Sequence, residues 1–228
     1  MKTVAIIPAR GGSKGVPRKN IKDFCGKPLI SYIITTALKT PELDRVIVST
    51  EDREIADISK KYGAEIPFIR PIDLASDDTP TMPVLKHAIN YLEESENYSP
   101  SLITLLYPTS PLLCPERISE AIEILKKGSF DSLVSVVEDK GHYWINNGNY
   151  KRLYPKVIKN RQYVNPLYRE NGSIYLLTRD LIMKKNKITG DKVGFLIMKN
   201  DESVDIDTNI DFEFAEFLYK KIFQKVID

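Results

Sequence analysis

Cysteine is close to absent from this chain of 228 residues, which has only Cys25 and Cys114. Two widely separated thiols make no disulfide framework. The two histidines, His87 and His142, add neither a zinc-ligand spacing nor a nucleophile–base pattern. Long apolar runs are also missing, and none approaches the roughly 18 residues of a membrane span. The run Val4–Ile7 is too short for a secretory leader and has no small-residue cleavage site behind it. The expectation is therefore a cytoplasmic protein with no membrane partner. Net charge is small, 33 basic against 31 acidic residues giving +2, which alone says nothing about a polyanionic partner. Trp144 is the single tryptophan; with Tyr143 it reads as core or interface, because no basic stripe surrounds the pair, and no nucleic-acid partner is expected. What is present is an ordinary globular composition, 42% apolar and 28% charged, which excludes a disordered or fibrous chain. At roughly 150 residues per domain the length suits one domain, 1–228, with an appended arm. Such a chain can bury about 70% of its unfolded surface.

Short apolar runs alternate with helical patterns. Val4–Pro8 reads as a buried strand, followed by a loop from Arg10 to Lys19 and a helix marked by Leu29, Ile30, Ile33, Ile34, Ala37 and Leu38. Val46–Ser49 is the next strand, and Ile55 and Ile58 mark the next helix. Glu65–Arg70 reads as a third strand, before a helix carrying Val84, Ala88, Ile89 and Leu92, with His87 on its surface. Leu102–Tyr107 is a fourth strand. Pro115 sits where a first-turn proline belongs, ahead of Ile118, Ala121, Ile122 and Leu125, and Leu133–Val137 is a fifth strand. This alternation predicts an α/β fold with a mainly parallel sheet covered on both faces. The rhythm breaks over 139–170, where Asn146–Asn149 signals a turn and a hairpin-like excursion is expected. Gly172–Thr178 and Val193–Met198 return as strands. A helix at about 209–225 closes the chain, marked by Ile210, Phe214, Leu218 and Ile222, with Thr208 and Asp211 as its capping box.

Charge is unevenly placed. Residues 1–40 carry eight bases against one acid, Asp23, while residues 200–216 carry seven acids and no base. Glycine is sparse at 11, yet Gly11, Gly12 and Gly15 fall with Arg10, Lys14, Arg18 and Lys19 inside ten residues after the first strand. Glycines let a backbone approach phosphate oxygens, and Arg10 can grip them as a fork. The loop is not a Walker motif, since Gly26-Lys27 is followed by proline, and it lacks dinucleotide spacing. In Ser203–Thr208, residues two apart share a side of extended chain, so Asp205 and Asp207 would face one ligand while Val204 and Ile206 pack away. Two hard oxygen donors suit Mg²⁺; the competing reading has Asp207 favouring only the helix N-terminus. Arg70-Pro71 and Asp77–Thr81 fit either groups that read a base or a turn with a helix cap. Arg161-Gln162 and Arg169–Gly172 fit either anion-binding cations or ordinary surface charge.

Ala9–Asn20 resembles the signature loop of the acylneuraminate cytidylyltransferases, the CMP-sialic acid synthetases. Pro108–Leu112, Glu170–Gly172 and Asp205–Thr208 match further blocks of that family, in order and at similar separations, so the resemblance spans nearly the whole chain. It implies a Rossmann-like nucleotidyltransferase that couples CTP to a nine-carbon acidic α-keto sugar and releases pyrophosphate. It assigns Arg10, Gly11, Gly12, Ser13, Lys14, Lys19 and Asn20 to the CTP phosphates and ribose, and Arg70, Thr79 and Thr81 to the cytosine. Asp205 and Asp207 become the Mg²⁺ ligands. Tyr107, Thr109, Ser110, Arg161, Gln162, Arg169 and Asn171 fall on the sugar and pyrophosphate side. Arg10, Lys19, Asp205, Asp207 and Arg161 are the implied catalytic set. A homodimer is implied, with the arm at 139–170 reaching the partner's site.

Where sialic acid enzymes commonly read Gln-Pro-Thr-Ser-Pro-Leu-Arg, this chain has Tyr107 in place of the glutamine and Leu113 in place of the arginine. Both departures point to a relative of sialic acid, such as legionaminic or pseudaminic acid. Three rivals stay open at this level: a Kdo-type cytidylyltransferase, a nucleotide-sugar glycosyltransferase using Asp205 and Asp207, and a non-catalytic nucleotide-binding module. An Asp-x-Asp pair directly before the last helix is an unusual place for the glycosyltransferase motif. A module that only binds would not need both the cationic loop and the aspartates.

Overall fold

Every position of Val4–Ile7 is apolar, so a strand here has both faces covered. In the computed structural model, which describes residues 1–223, this run forms β1 (Thr3–Pro8) inside a six-stranded sheet. A small antiparallel hairpin follows, β2 (Asp23–Phe24) and β3 (Lys27–Pro28), then α1 (Leu29–Leu38), β4 (Arg45–Ser49), α2 (Arg53–Lys61) and α3 (Thr81–Glu96). Next come β5 (Leu102–Leu106), α4 (Pro115–Lys127) and β6 (Ser132–Asp139). A second hairpin, β7 (Tyr143–Asn146) and β8 (Tyr150–Tyr154), leads to β9 (Leu167–Thr178), β10 (Val193–Met198) and α5 (Asn209–Phe223). The sheet order is β10-β6-β9-β5-β1-β4. All strands run the same way except β9, which is antiparallel to both β5 and β6.

The pleat sorts the core. Ala5 and Ile7 face the layer under α1 and α4, whereas Val4 and Ile6 face the layer under α3. A third cluster joins Val16 of the cationic loop and Phe24 of the first hairpin to Val204, Ile206 and Phe212. Each such side chain contributes about 1.5–3 kcal/mol on burial. That cluster therefore holds the basic and acidic segments of the chain together.

Three expectations change. Glu65–Arg70 is not a strand: it makes a single bridge, Glu65 to Ile47, with Glu65 N–H donating to Val46 O at 2.8 Å. Pro67 lacks the N–H needed to continue the ladder, and the chain next touches the β4 end through Arg70 N–H to Thr50 O at 2.9 Å. The strand expected at Gly172 starts earlier, at Leu167, so the excursion proper lies between the paired ends of β6 and β9. Its hairpin turns at Asn147-Gly148, where Gly148 takes φ +91°.

The closing helix buries a different face from the one its fourfold spacing suggests. Ile210 is 77% and Phe214 51% exposed, while Phe212, Ala215 and Leu218 turn inward. The phase follows the target: Phe24 receives the Phe212 and Tyr219 rings edge-on at 5.5 and 5.6 Å. The capping box forms as expected, Thr208 N–H donating to Asp211 Oδ2 at 2.7 Å and Asp211 N–H to Thr208 Oγ1 at 3.2 Å. Positions 224–225 of the expected helix lie outside the described residues.

Candidate active site

The chain leaves β1 to one side for β4 and returns on the other side as β5, so a crevice opens at the carboxyl ends of these strands. A cleft of about 370 Å³ lies there. Arg10, Ser13, Lys14, Lys19 and Asn20 reach it from the loop after β1. Arg70, Thr79, Thr81, Tyr107, Thr109 and Asp207 complete the expected residues on its walls.

The cationic loop is held by its own side chains. Asn20, buried, donates from Nδ2 to Arg10 O at 2.9 Å. Arg18 adopts a left-handed conformation and pairs with Asp52 and Glu54 at the start of α2; this contact holds the Asp52 carboxyl below its usual pKa. Gly11 N–H donates to Glu51 Oε1 at 2.7 Å, so that amide is already committed. Gly12 stands in open space. At Gly15 a Cβ would lie 2.1 Å from the Asp207 carbonyl oxygen, so only glycine allows this approach. Lys19 Nζ donates to Ile206 O and lies 3.4 Å from Asp207 Oδ1. Basic loop and acidic segment thus meet directly.

The acidic segment alternates as expected, with Val204 and Ile206 buried and Asp205 and Asp207 facing out. Ile206 N–H donates to Thr109 O at 3.0 Å, which ties the segment to the β5 end. Asp205 Oδ2 sits over Gly172, where a Cβ would lie 3.2 Å away and φ is +71°. Desolvation against this wall pushes the Asp205 pKa up and the charge of Asp207 adds to it, while the Thr109 hydroxyl and Lys19 oppose the shift. Tyr107 hydrogen-bonds Thr81 at 3.0 Å and packs edge-on against Tyr175, and burial raises its hydroxyl pKa.

Other expected residues lie elsewhere. Asn171 is buried with its amide fully engaged: it donates to Ser203 Oγ at 2.8 Å and accepts from Ser135 Oγ at 2.6 Å. It braces β9, β6 and the turn before Asp205. Ser110 is 1% exposed, its Oγ buried without a partner behind the cleft wall. Leu113 is core and does not line the cleft. Arg161 and Gln162 are exposed in the excursion, and Arg169 lies 3.9 Å from Asp139; none of the three lines this cleft. His87 is half-buried rather than on the surface, edge-on to Phe68 at 4.7 Å, and burial lowers its pKa.

Residues 4–226 match the family model for cytidylyltransferases. The chain belongs to the cytidylyltransferase family. It is 36% identical over 226 residues to the pseudaminic acid cytidylyltransferase of Campylobacter jejuni subsp. jejuni serotype O:2, covering 96% of this chain and 97% of that one. It is 34% identical to the CMP-N,N'-diacetyllegionaminic acid synthase of Legionella pneumophila subsp. pneumophila, over 96% of each. Among solved structures, CMP:2-keto-3-deoxy-manno-octonic acid synthetase complexed with CTP aligns with a TM-score of 0.70 over 97% of this chain and 99% of that one. At 16% identity that likeness shows the shared fold.

Two acids bear on the cleft's cations: Glu51, which sequence reasoning passed over and which stands behind the lining, and Asp77, which lines the cleft. Glu51, just past the β4 end, accepts from both Gly11 N–H and Arg70 Nη2, the latter at 2.6 Å. Asp77 pairs with Arg10 and Lys14, each at 2.6 Å. An acid at the carboxyl end of a parallel strand was a usable signal for Glu51. Nothing in the sequence pattern marks Asp77 as the partner of those two cations.

Proposed function

We propose that this cytidylyltransferase couples CTP to a nine-carbon α-keto acid sugar of the pseudaminic or legionaminic class, giving the CMP-sugar and pyrophosphate. The observation that supports this reading is the meeting of the Arg10–Lys19 loop with Asp207 at one strand-end cleft, Gly15 lying against the Asp207 backbone, while Asp205 stands beside the cleft over Gly172 rather than on its lining. The names of the two relatives support the sugar class, and Tyr107 in place of the expected glutamine supports it from the site itself.

Asp205 and Asp207 would hold a divalent cation. Their fit rests on two hard carboxylates on one side of extended chain, one of them desolvated over Gly172 and beside the charge of the other. Among the described residues no group of three or more His, Cys, Asp or Glu is placed to hold a metal. Two protein ligands leave room for phosphate and water, which is the habit of Mg²⁺. When bound, that ion supplies charge neutralisation at the α-phosphate. Arg10 and Lys14 grip the phosphates that leave, and Lys19 holds the aspartate segment in place. Arg70, Thr79 and Thr81 surround the base, and Tyr107 and Thr109 border the sugar. In-line attack by the anomeric hydroxyl then depends mainly on positioning and electrostatics.

The arm at 139–170 supports a homodimer reading, in which Arg161 serves the neighbouring subunit's cleft. Trp144, Tyr150 and Tyr163 are exposed there, and large aromatics are enriched in interface cores. Among the described residues no helix is long and apolar enough to cross a membrane, in keeping with a cytoplasmic enzyme. The test is a panel of pseudaminic, legionaminic, N-acetylneuraminic and Kdo acids with CTP and Mg²⁺, scored for CMP-sugar. Pseudaminic or legionaminic acid should give the highest kcat/KM. Turnover of Kdo alone, or of none of the four, overturns the reading.

A further inference from the structure

Asp77 belongs to the stretch between a 3-10 turn at Ile72–Ala75 and α3. Thr79 stiffens that stretch by bonding to Ser76 Oγ at 2.6 Å and to Asp73 O at 3.2 Å. The Asp77 carboxylate reaches across the cleft and divides its oxygens. Oδ1 lies 2.6 Å from Arg10 Nη1, and Oδ2 lies 2.6 Å from Lys14 Nζ. Among the described residues these two cations are its only ion-pair partners. They are also the two that the proposed function assigns to the departing phosphates, so the inference rests on that reading.

A carboxylate and a phosphate place like charge and like acceptor geometry on an arginine fork and an ammonium. The N–H groups of Arg10 Nη1 and Lys14 Nζ that Asp77 engages must turn from it before a phosphate can take them. The Asp77 side chain is 34% exposed and Arg10 equally so, which leaves room for the pair to part without opening the core. We propose that Asp77 is an internal competitor for the phosphate subsite. It closes on Arg10 and Lys14 when the subsite is empty, releases them to an incoming triphosphate, and re-pairs as pyrophosphate departs. In this way Asp77 tunes pyrophosphate affinity and speeds product release. The contact costs substrate affinity and keeps the two cations oriented between turnovers.

The probe is inorganic pyrophosphate, titrated calorimetrically into the intact protein in the presence of Mg²⁺. Asp77→Asn and Asp77→Ser should both bind it about three- to tenfold tighter than the unchanged protein, the scale of releasing two partly exposed ion pairs. Inhibition of turnover by added pyrophosphate should shift to lower concentration by the same factor. Unchanged or weaker binding in both variants overturns the proposal. Arg10→Ala and Lys14→Ala separate the two levels. If they weaken pyrophosphate binding while the Asp77 variants fail to tighten it, only the role of Asp77 is lost. If they leave it unchanged, the phosphate assignment itself falls, and the proposal with it.

Discussion

Asp205, one of the two carboxylates proposed to hold the cation, sits in a position that disfavours its charge. Desolvation and the neighbouring Asp207 raise its pKa despite the Thr109 hydroxyl and Lys19. An acid whose pKa rises on folding adds stability that is fully present below the unfolded carboxylate value and is lost as pH climbs through the folded one. At neutral pH the charged Asp205 therefore weakens the fold. Asp205→Asn should melt no lower than the unchanged protein at pH 7, with the difference shrinking as pH falls, while turnover drops by roughly a hundredfold or more. A variant clearly less stable at pH 7 would show that the carboxylate is structural. Asn171 makes the opposite case. Its amide closes a buried network through Ser135, Ser173 and Ser203. Removing it in Asn171→Ala strands those partners at about 1–3 kcal/mol. Urea unfolding should show that loss, with kcat/KM of the folded fraction within a few-fold. Full stability with lost activity would make Asn171 a ligand after all.

At the scale of elements, Gly15 is where the cationic loop and the acidic segment touch. Gly15→Ala must push backbone from backbone, so it should cost about 1–3 kcal/mol of stability and at least tenfold in turnover. Thermal melts and CMP-sugar formation check both, and a fully active alanine variant would remove the contact from the account. The Arg10–Lys19 loop and the Asp205/Asp207 pair were legible in the sequence because glycine spacing and strand alternation are local signals. The strands flanking them were legible for the same reason. Legibility failed wherever a distant partner decided the outcome. Pro67 cut short an apolar run that otherwise reads as strand, and Phe24 chose which face of α5 is buried. The direction of β9 depends on pairing between strands far apart in sequence, which no local period records. Asn171 sits in a family-like block, yet its role is set by Ser135 and Ser203 on other elements.

For the whole molecule, the arm and the α5 face leave apolar surface uncovered in a single chain. Val157 and Ile158 are 70% and 73% exposed, and Lys156, Lys159 and Arg161 flank them in a stretch without acids. If two copies share sites through this arm, mixing an Arg161→Ala chain with an Asp207→Ala chain should restore activity that neither has alone. A protein that stays monomeric at micromolar concentration contradicts sharing.

The central claim, that the acidic segment and the cationic loop form one catalytic site for CTP, is tested most directly at Asp207. The measurement is CMP-sugar formation by Asp207→Asn across a Mg²⁺ titration, with a thermal melt as control for folding. An amide keeps the shape of this exposed side chain and removes its charge. An unchanged melt is expected, with a loss of roughly 10²–10³-fold in kcat that saturating Mg²⁺ does not recover. Near-normal turnover at saturating Mg²⁺ would contradict it.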